Sequence, residues 1–163
     1  MREVRAARPA ARLLLAVRDP DAFAPWRGLL DELGLTDTVD VRRAGLDDLP
    51  ALLSTAAVAV NPRPRADGQP LKLLNYMSAG VPIVSCRGSS HGLTHGETAW
   101  LVDDDDPAAL AEGIRLLLDE PDRAARLGRA ARQTVRALPG WEDVAVMLEG
   151  VYATSRAAVE AAS

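Results

Sequence analysis

Downstream of Asn61 the chain gathers polar and charged residues around the start of a helix. Asp67, Gly68 and Gln69 make a polar, Gly-containing loop that runs into Pro70, Leu71, Lys72 and Asn75. Pro70 suits a first helical residue, because its φ is already fixed and it has no N–H to leave unpaired. At such a junction the free backbone N–H groups and the positive end of the helix dipole meet, and the chemistry this offers is binding of phosphate or another anion. Lys72 lies in that first turn, where a cation opposes the dipole and is useful when an anion binds. Arg63 and Arg65 precede the loop and could also reach phosphate or sugar. The plain alternative is a surface turn at Asp67-Gly68 followed by solvated cations.

The elements that would position this loop follow from periodicity. Leu71, Leu73, Leu74 and Met77 repeat at helical spacing, Gly80 gives a stop, and Val81-Pro82-Ile83-Val84-Ser85-Cys86 reads as a short buried strand. Upstream, Arg12-Leu13-Leu14-Leu15-Ala16-Val17 reads as a buried parallel strand. Ala22 to Leu33 reads as an amphipathic helix ending at Gly34, Thr38 to Val41 as a strand, Gly45 to Pro50 as the opening of a helix, and Ala56 to Val60 as a strand. Downstream come a Gly, Ser and His loop over Arg87–Thr98, a strand over Ala99–Val102, and helices over Pro107–Leu118, Asp122–Ala137 and Trp141–Val159. Strands alternating with helices imply an α/β, Rossmann-like parallel sheet with flanking helices and right-handed crossovers. The loop with the candidate site follows a strand's carboxyl end, where open α/β sheets bind ligands.

The Asp67–Val84 stretch resembles the donor-binding segment of retaining glycosyltransferases of the GT-B fold, the group 1 type. Their pattern is roughly Glu-Gly-x-x-x-x-x-Leu-Glu-x-Met-x-x-Gly-x-Pro-Val-Val. Asp67-Gly68 stands at the first Glu-Gly, Leu74-Asn75-Tyr76-Met77 at Leu-Glu-x-Met, and Gly80-Val81-Pro82-Ile83-Val84 at the end. Both acidic positions have changed, the first to a shorter acid and the second to an amide. Gly96-Glu97-Thr98-Ala99-Trp100-Leu101-Val102 is similar to the family's Gly-x-Thr-Gly-x-Leu-Val segment. The resemblance implies one incomplete GT-B C-terminal domain over residues 1–163, with a Rossmann-like core over 12–138 and a terminal helix over 141–160. It implies a nucleotide-diphosphate sugar as donor substrate, and neither a cofactor nor a metal. Asp67 would orient the donor sugar, Asn75 would touch the ribose, and Gly68, Gln69, Leu71 and Lys72 would line the diphosphate; Arg63, Arg65 and His91 are further donor-loop candidates. No catalytic residue is assigned.

Composition bounds these readings. The 163 residues suit one domain, and 48% apolar with 26% charged residues is ordinary for a globular chain. A formal net charge of -4 argues against a general nucleic-acid binder. Lys72 is the sole lysine among 19 basic residues. Cys86 is the single cysteine, which excludes an internal disulfide and suits a reducing, cytoplasmic setting. No apolar run spans a membrane, and the N-terminus lacks a signal peptide's apolar stretch.

Other chemistry-bearing residues have plainer readings. His91 and His95 lie among glycines, without the further ligands a metal set needs. Ser89 and Ser90 lack a nucleophile elbow. Cys86 reads as a small core residue, Trp141 and Tyr152 as packing residues of the last helix, and Asp103 to Asp106 as a solvated cap. By resemblance, the family's first strand and helix carry an Arg and a Lys for the leaving diphosphate, and the chain starts after them. The chain then reads either as a truncated reading frame or as one half of a split enzyme, whose partner would be a separate N-terminal, acceptor-binding half. The reading adopted is part of a glycosyltransferase. A non-catalytic nucleotide- or sugar-binding module or remnant, and an unrelated doubly wound interaction domain, are the alternatives.

Overall fold

The computed structural model describes residues 1–66, 68 and 70–161. In chain order it has α1 (Arg2–Ala7), β1 (Leu13–Val17), α2 (Arg27–Glu32), β2 (Val39–Arg43), α3 (Leu49–Ser54), β3 (Ala59–Asn61), α4 (Leu71–Ala79), β4 (Ile83–Cys86), β5 (Trp100–Val102), α5 (Pro107–Asp119), α6 (Pro121–Arg136) and α7 (Trp141–Ala161). Every strand pairing is parallel. One predicted sheet is found as two ladders: β2–β1, with Leu13 opposite Val39, and β3–β4–β5, with Ala59 opposite Ile83 and Val84 opposite Trp100.

The core lies on both faces of the three-stranded ladder. Side chains alternate along a strand, so Ile83 and Leu101 go to one face with Leu73, Met77 and Ala131. Val84, Cys86 and Val102 go to the other with Leu117, Ala124 and Leu127. Hence α4 covers one face, α5 covers the opposite face, and α6 reaches both. β4, flanked on both edges and covered on both faces, is buried at every residue.

Two glycines set how closely α6 approaches α4. Gly80 ends α4 in the left-handed region, at φ 71, which costs little without a Cβ. A Cβ on Gly128 of α6 would lie 2.1 Å from the Gly80 carbonyl oxygen. At the other end of the core, Asp106 caps α5 by accepting from the Ala109 N–H at 2.8 Å, with Pro107 in the first helical position.

Several expectations are corrected. The Ala22–Leu33 helix is a 3-10 segment, Pro20–Trp26, followed by the short α2. Pro25 inside it cannot donate an α-helical hydrogen bond, and 3-10 geometry accommodates this. Pro70 is the N-cap of α4, with an extended ψ of 110, rather than its first residue. The apolar β1 is half-buried, with Ala16 exposed, because the ladder gives it a neighbour on one edge. Trp141 and Tyr152 do not pack: they are 89% and 72% exposed, on a helix exposed along nearly all of its described side chains. Val4 of α1 is 1% exposed, where α1 lies along α5. Among the described residues, no helix is long and apolar enough to cross a membrane.

The glycine contact gives a direct test. Gly128→Ala drives a methyl into backbone and is expected to cost about 1–3 kcal/mol in urea unfolding. Gly113→Ala meets side chains rather than backbone, Trp100 Cδ1 at 2.7 Å and Val84 Cγ1 at 3.1 Å. Its cost is expected to be smaller, offset by the helix preference for Ala of up to about 1 kcal/mol. Equal losses in the two variants would contradict the rigid α4–α6 contact.

Candidate functional site

The loops at the carboxyl ends of β3, β4 and β5 are stitched together by a buried polar cluster. Asn61, the last residue of β3, is fully buried. Its Nδ2 donates to Ser85 Oγ at 3.0 Å and to Ser89 Oγ at 2.8 Å, with the Ser89 carbonyl oxygen at 3.4 Å. Ser89 Oγ in turn donates to the Arg63 carbonyl oxygen, and Ser85 Oγ to that of Cys86. Both hydroxyls spend their proton on a carbonyl, so each offers Asn61 a lone pair, and the amide nitrogen must be the atom that faces them.

A second set of contacts joins the β5 loop. The Gly88 N–H donates to Asp104 Oδ1 at 2.9 Å. A Cβ on Gly88 would lie 1.9 Å from the Pro64 carbonyl oxygen, so the chain passes where side chains cannot fit. Arg87 Nε donates to Asp103 at 3.0 Å. The Asp103 to Asp106 run is therefore more than the solvated cap expected of it: Asp104 holds a neighbouring loop, and Asp106 caps α5. Asp105 carries the turn, at φ 59.

This frame presents the amino end of α4. The helix begins after Pro70 with no side-chain cap and no acid in its first turn. Among the described residues, its first N–H groups thus lack the usual side-chain acceptor. Lys72 is exposed in that turn and Asn75 one turn further on the same side, three residues away. Gly68 adopts φ 87 with open space where a Cβ would be. Asp67 and Gln69 lie outside the described residues. Leu71, expected on the apolar stripe, is 74% exposed, whereas Leu73 and Met77 are buried. Its side chain falls on the α4 face turned from the core.

The remaining candidates divide. Arg63 is tied in through its backbone, with an exposed side chain, and Arg65 is exposed. His91 is exposed on the loop after β4 that Asn61 and Gly88 anchor. His95 is structural, since its Nδ1 accepts from the Leu101 N–H at 3.0 Å and its ring packs 4.6 Å from that of Trp100. Cys86 is buried, and burial, aided by Asp104 and Asp105, raises its thiol above the usual range. An open groove of about 380 Å³ between Arg87, Trp100, Glu112 and Arg123 is lined by none of the described residues of the α4 loop. Asn61, Ser85 and Ser89 escaped the sequence reading. The signal available was an amide and a serine closing two adjacent apolar strands.

A family model described as Glycosyl transferases group 1 matches residues 1–120. A D-inositol 3-phosphate glycosyltransferase of Streptomyces avermitilis is 32% identical over 127 residues, covering 76% of this chain and 27% of that protein. Sucrose-phosphate synthase of Thermosynechococcus elongatus superposes with a TM-score of 0.82 at 29% identity, over 95% of this chain and 41% of that one. Anabaena Alr3699/HepE, solved in complex with UDP and glucose, gives a TM-score of 0.76 over 94% of this chain and 43% of that one, and at 16% identity the likeness is one of fold. The chain spans well under half the length of each of these relatives.

Two outcomes are expected from the geometry of the cluster. Asn61→Ala leaves buried serine and carbonyl groups unpaired and should lower stability by about 1–3 kcal/mol. Arg87→Ala removes an exposed ion pair and should cost less than about 1 kcal/mol; urea midpoints measure both. Cys86, with its thiol pKa raised, should alkylate far more slowly than a free thiol near pH 8 and react fully once unfolded. The linked stability is present below the unfolded thiol's pKa and fades as pH rises through the higher folded one.

Proposed function

We propose that this chain, which belongs to the group 1 glycosyl transferases, holds the diphosphate of a nucleotide-sugar donor on the amino end of α4. The carrying observation is the uncapped start of α4 with exposed Lys72 in its first turn, fixed at the strands' carboxyl ends by the Asn61 cluster. Backbone N–H groups and the helix dipole suit a diphosphate, and Lys72 adds a full charge. Asn75, on the same side, can bond a ribose hydroxyl through its amide. Asp67 is assigned to hydroxyls of the donor sugar, as an acceptor at the start of the loop. Arg63, Arg65 and His91 lie on the anchored loops and line the approach.

The reaction that fits is glycosyl transfer with retained anomeric configuration. The bond between the anomeric carbon and the diphosphate oxygen breaks, and the acceptor's hydroxyl oxygen bonds to that carbon as its proton is released. The nucleoside diphosphate leaves with the negative charge. Stabilising that charge is a large catalytic contribution, and here the α4 end and Lys72 supply part of it, without calling on a metal. The acceptor is bound by polypeptide outside these residues. The single buried thiol of Cys86 fits a cytoplasmic setting.

Calorimetric titration of the folded chain with UDP, GDP, ADP and TDP tests this reading. One nucleotide is expected to bind saturably. Lys72→Ala should weaken binding about tenfold, the loss of one charge-assisted contact. Asn75→Glu should tighten binding severalfold, because a carboxylate accepts more strongly from a hydroxyl than an amide does. A chain shown folded by circular dichroism that binds none of the four would overturn the assignment.

A further inference from the structure

The outer edge of β2 carries a pattern of its own. Leu13 N–H donates to the Thr38 carbonyl oxygen at 2.9 Å, and Ala44 N–H to that of Val17 at 2.9 Å. Leu13 stands opposite Val39, and Val17 opposite Arg43. In a parallel ladder, alternate residues turn both backbone groups to the same neighbour. Asp40 and Arg42 therefore turn theirs to β1, and Val39, Val41 and Arg43 turn theirs outward. The Val39 N–H is taken by the Leu35 carbonyl oxygen at 3.1 Å. Among the described residues, no strand pairs with this edge.

The side chains divide by the same alternation. Val39 and Val41 border an open groove of about 300 Å³ with Arg27, Leu30, Asp31 and Thr36, and both are only half-buried. Asp40 and Arg42 share the opposite face, where Arg42 reaches Asp40 of its own strand at 2.6 Å. An acid and a cation thus flank Val41 on one face of an open edge.

Charges on an edge ordinarily keep other strands away. Here they form a self-complementary set. Two copies of one edge related by a two-fold axis run antiparallel. Turned about Val41, β2 places Asp40 opposite Arg42 of a second copy, Arg42 opposite Asp40, and Val41 opposite Val41. A slip of one residue is excluded by the backbone, because it faces outward groups with groups already bonded to β1. A slip of two residues is excluded by charge. With Val39 opposite Val41, Asp40 meets Asp40; with Val41 opposite Arg43, Arg42 meets Arg42. Opposite charges facing across a strand pair stabilise it and like charges destabilise it, so one register is selected.

We propose that two copies of this chain pair edge to edge through β2, antiparallel about a two-fold axis at Val41, and join their sheets into one. The Val41 N–H of each copy donates to the Val41 carbonyl oxygen of the other, and the Arg43 N–H to the Val39 carbonyl oxygen. The same patch serves on both copies, so the pairing is closed and ends at a dimer. The proposal stands independently of the donor assignment, because it is read as association without nucleotide.

Sedimentation equilibrium of the 163-residue chain over a range of concentrations tests it. A monomer–dimer equilibrium is expected. Asp40→Arg and Arg42→Asp each set like charges against one another on both sides of the axis, and each should weaken association about tenfold or more. The double variant Asp40→Arg/Arg42→Asp restores the pattern in reverse and should recover most of that loss. Val41→Pro removes an outward N–H that β1 does not use, and it should abolish the dimer while circular dichroism reports a retained fold. In the unmodified chain the Val41 amide should exchange more slowly as concentration rises, and the Asp40 amide, bonded to β1, should not change. A chain that stays monomeric up to about 1 mM would overturn the proposal. So would a dimer that Val41→Pro leaves intact, a double variant no better than the single ones, or a Val41 amide indifferent to concentration.

Discussion

The buried amide of Asn61 is the interaction on which the functional end of this molecule depends. One side chain, fully out of water, bridges the last turn of β3 to Ser85 of β4 and to Ser89 of the following loop. In a low-dielectric interior such a bond is strong, and breaking it leaves several groups unpaired rather than one. The same cluster fixes the Arg63 carbonyl, and with it the start of the loop that leads to α4. Gly88 and Asp104 extend the clamp to the β5 loop. The carboxyl ends of three strands are thereby held in one arrangement, against which the amino end of α4 is presented.

The other end of α4 is set by contact rather than by polarity. Gly128 lets α6 approach the Gly80 carbonyl to a distance that any Cβ would forbid. The helix that offers Lys72 and Asn75 at one end is thus anchored through bare backbone at the other. Leu73 and Met77 between them fill the core face. Candidate site and scaffold share one helix, so a shift of α6 would be transmitted to the amino end of α4.

Against this tightly packed half stands a less covered one. β4 is buried throughout, whereas β1, more apolar in sequence than most strands, remains half-exposed. α7 carries Trp141, Val146, Met147, Leu148, Val151 and Tyr152 in the open. Exposed apolar surface of this extent is uncommon on a self-contained domain. It agrees with a chain that spans 27% of a curated relative and 41% of a solved one. Membership of the family does not by itself give the chain the family's full activity.

The sequence by itself determined the alternation of strands and helices, the Gly80 stop, the cap of α5 by Asp106 and Pro107, and the stretch around Lys72 and Asn75. These are local matters: periodicity, fixed φ, absent N–H groups and side-chain caps act over a few residues, and the chain records them directly. It also carried the family likeness, in motifs whose order and gaps survive substitution. Tertiary structure decided what depends on residues far apart. It joined Asn61 to Ser85 and Ser89, turned Asp104 from a solvated acid into a loop tie, and made His95 an acceptor for Leu101. It left β1 half-covered and Trp141 bare, because burial is a property of neighbours and no strand or helix among the described residues supplies them. Pro25, which turned an expected helix into a 3-10 segment, was legible in principle, since a proline inside a helical pattern lacks the donor that the pattern assumes.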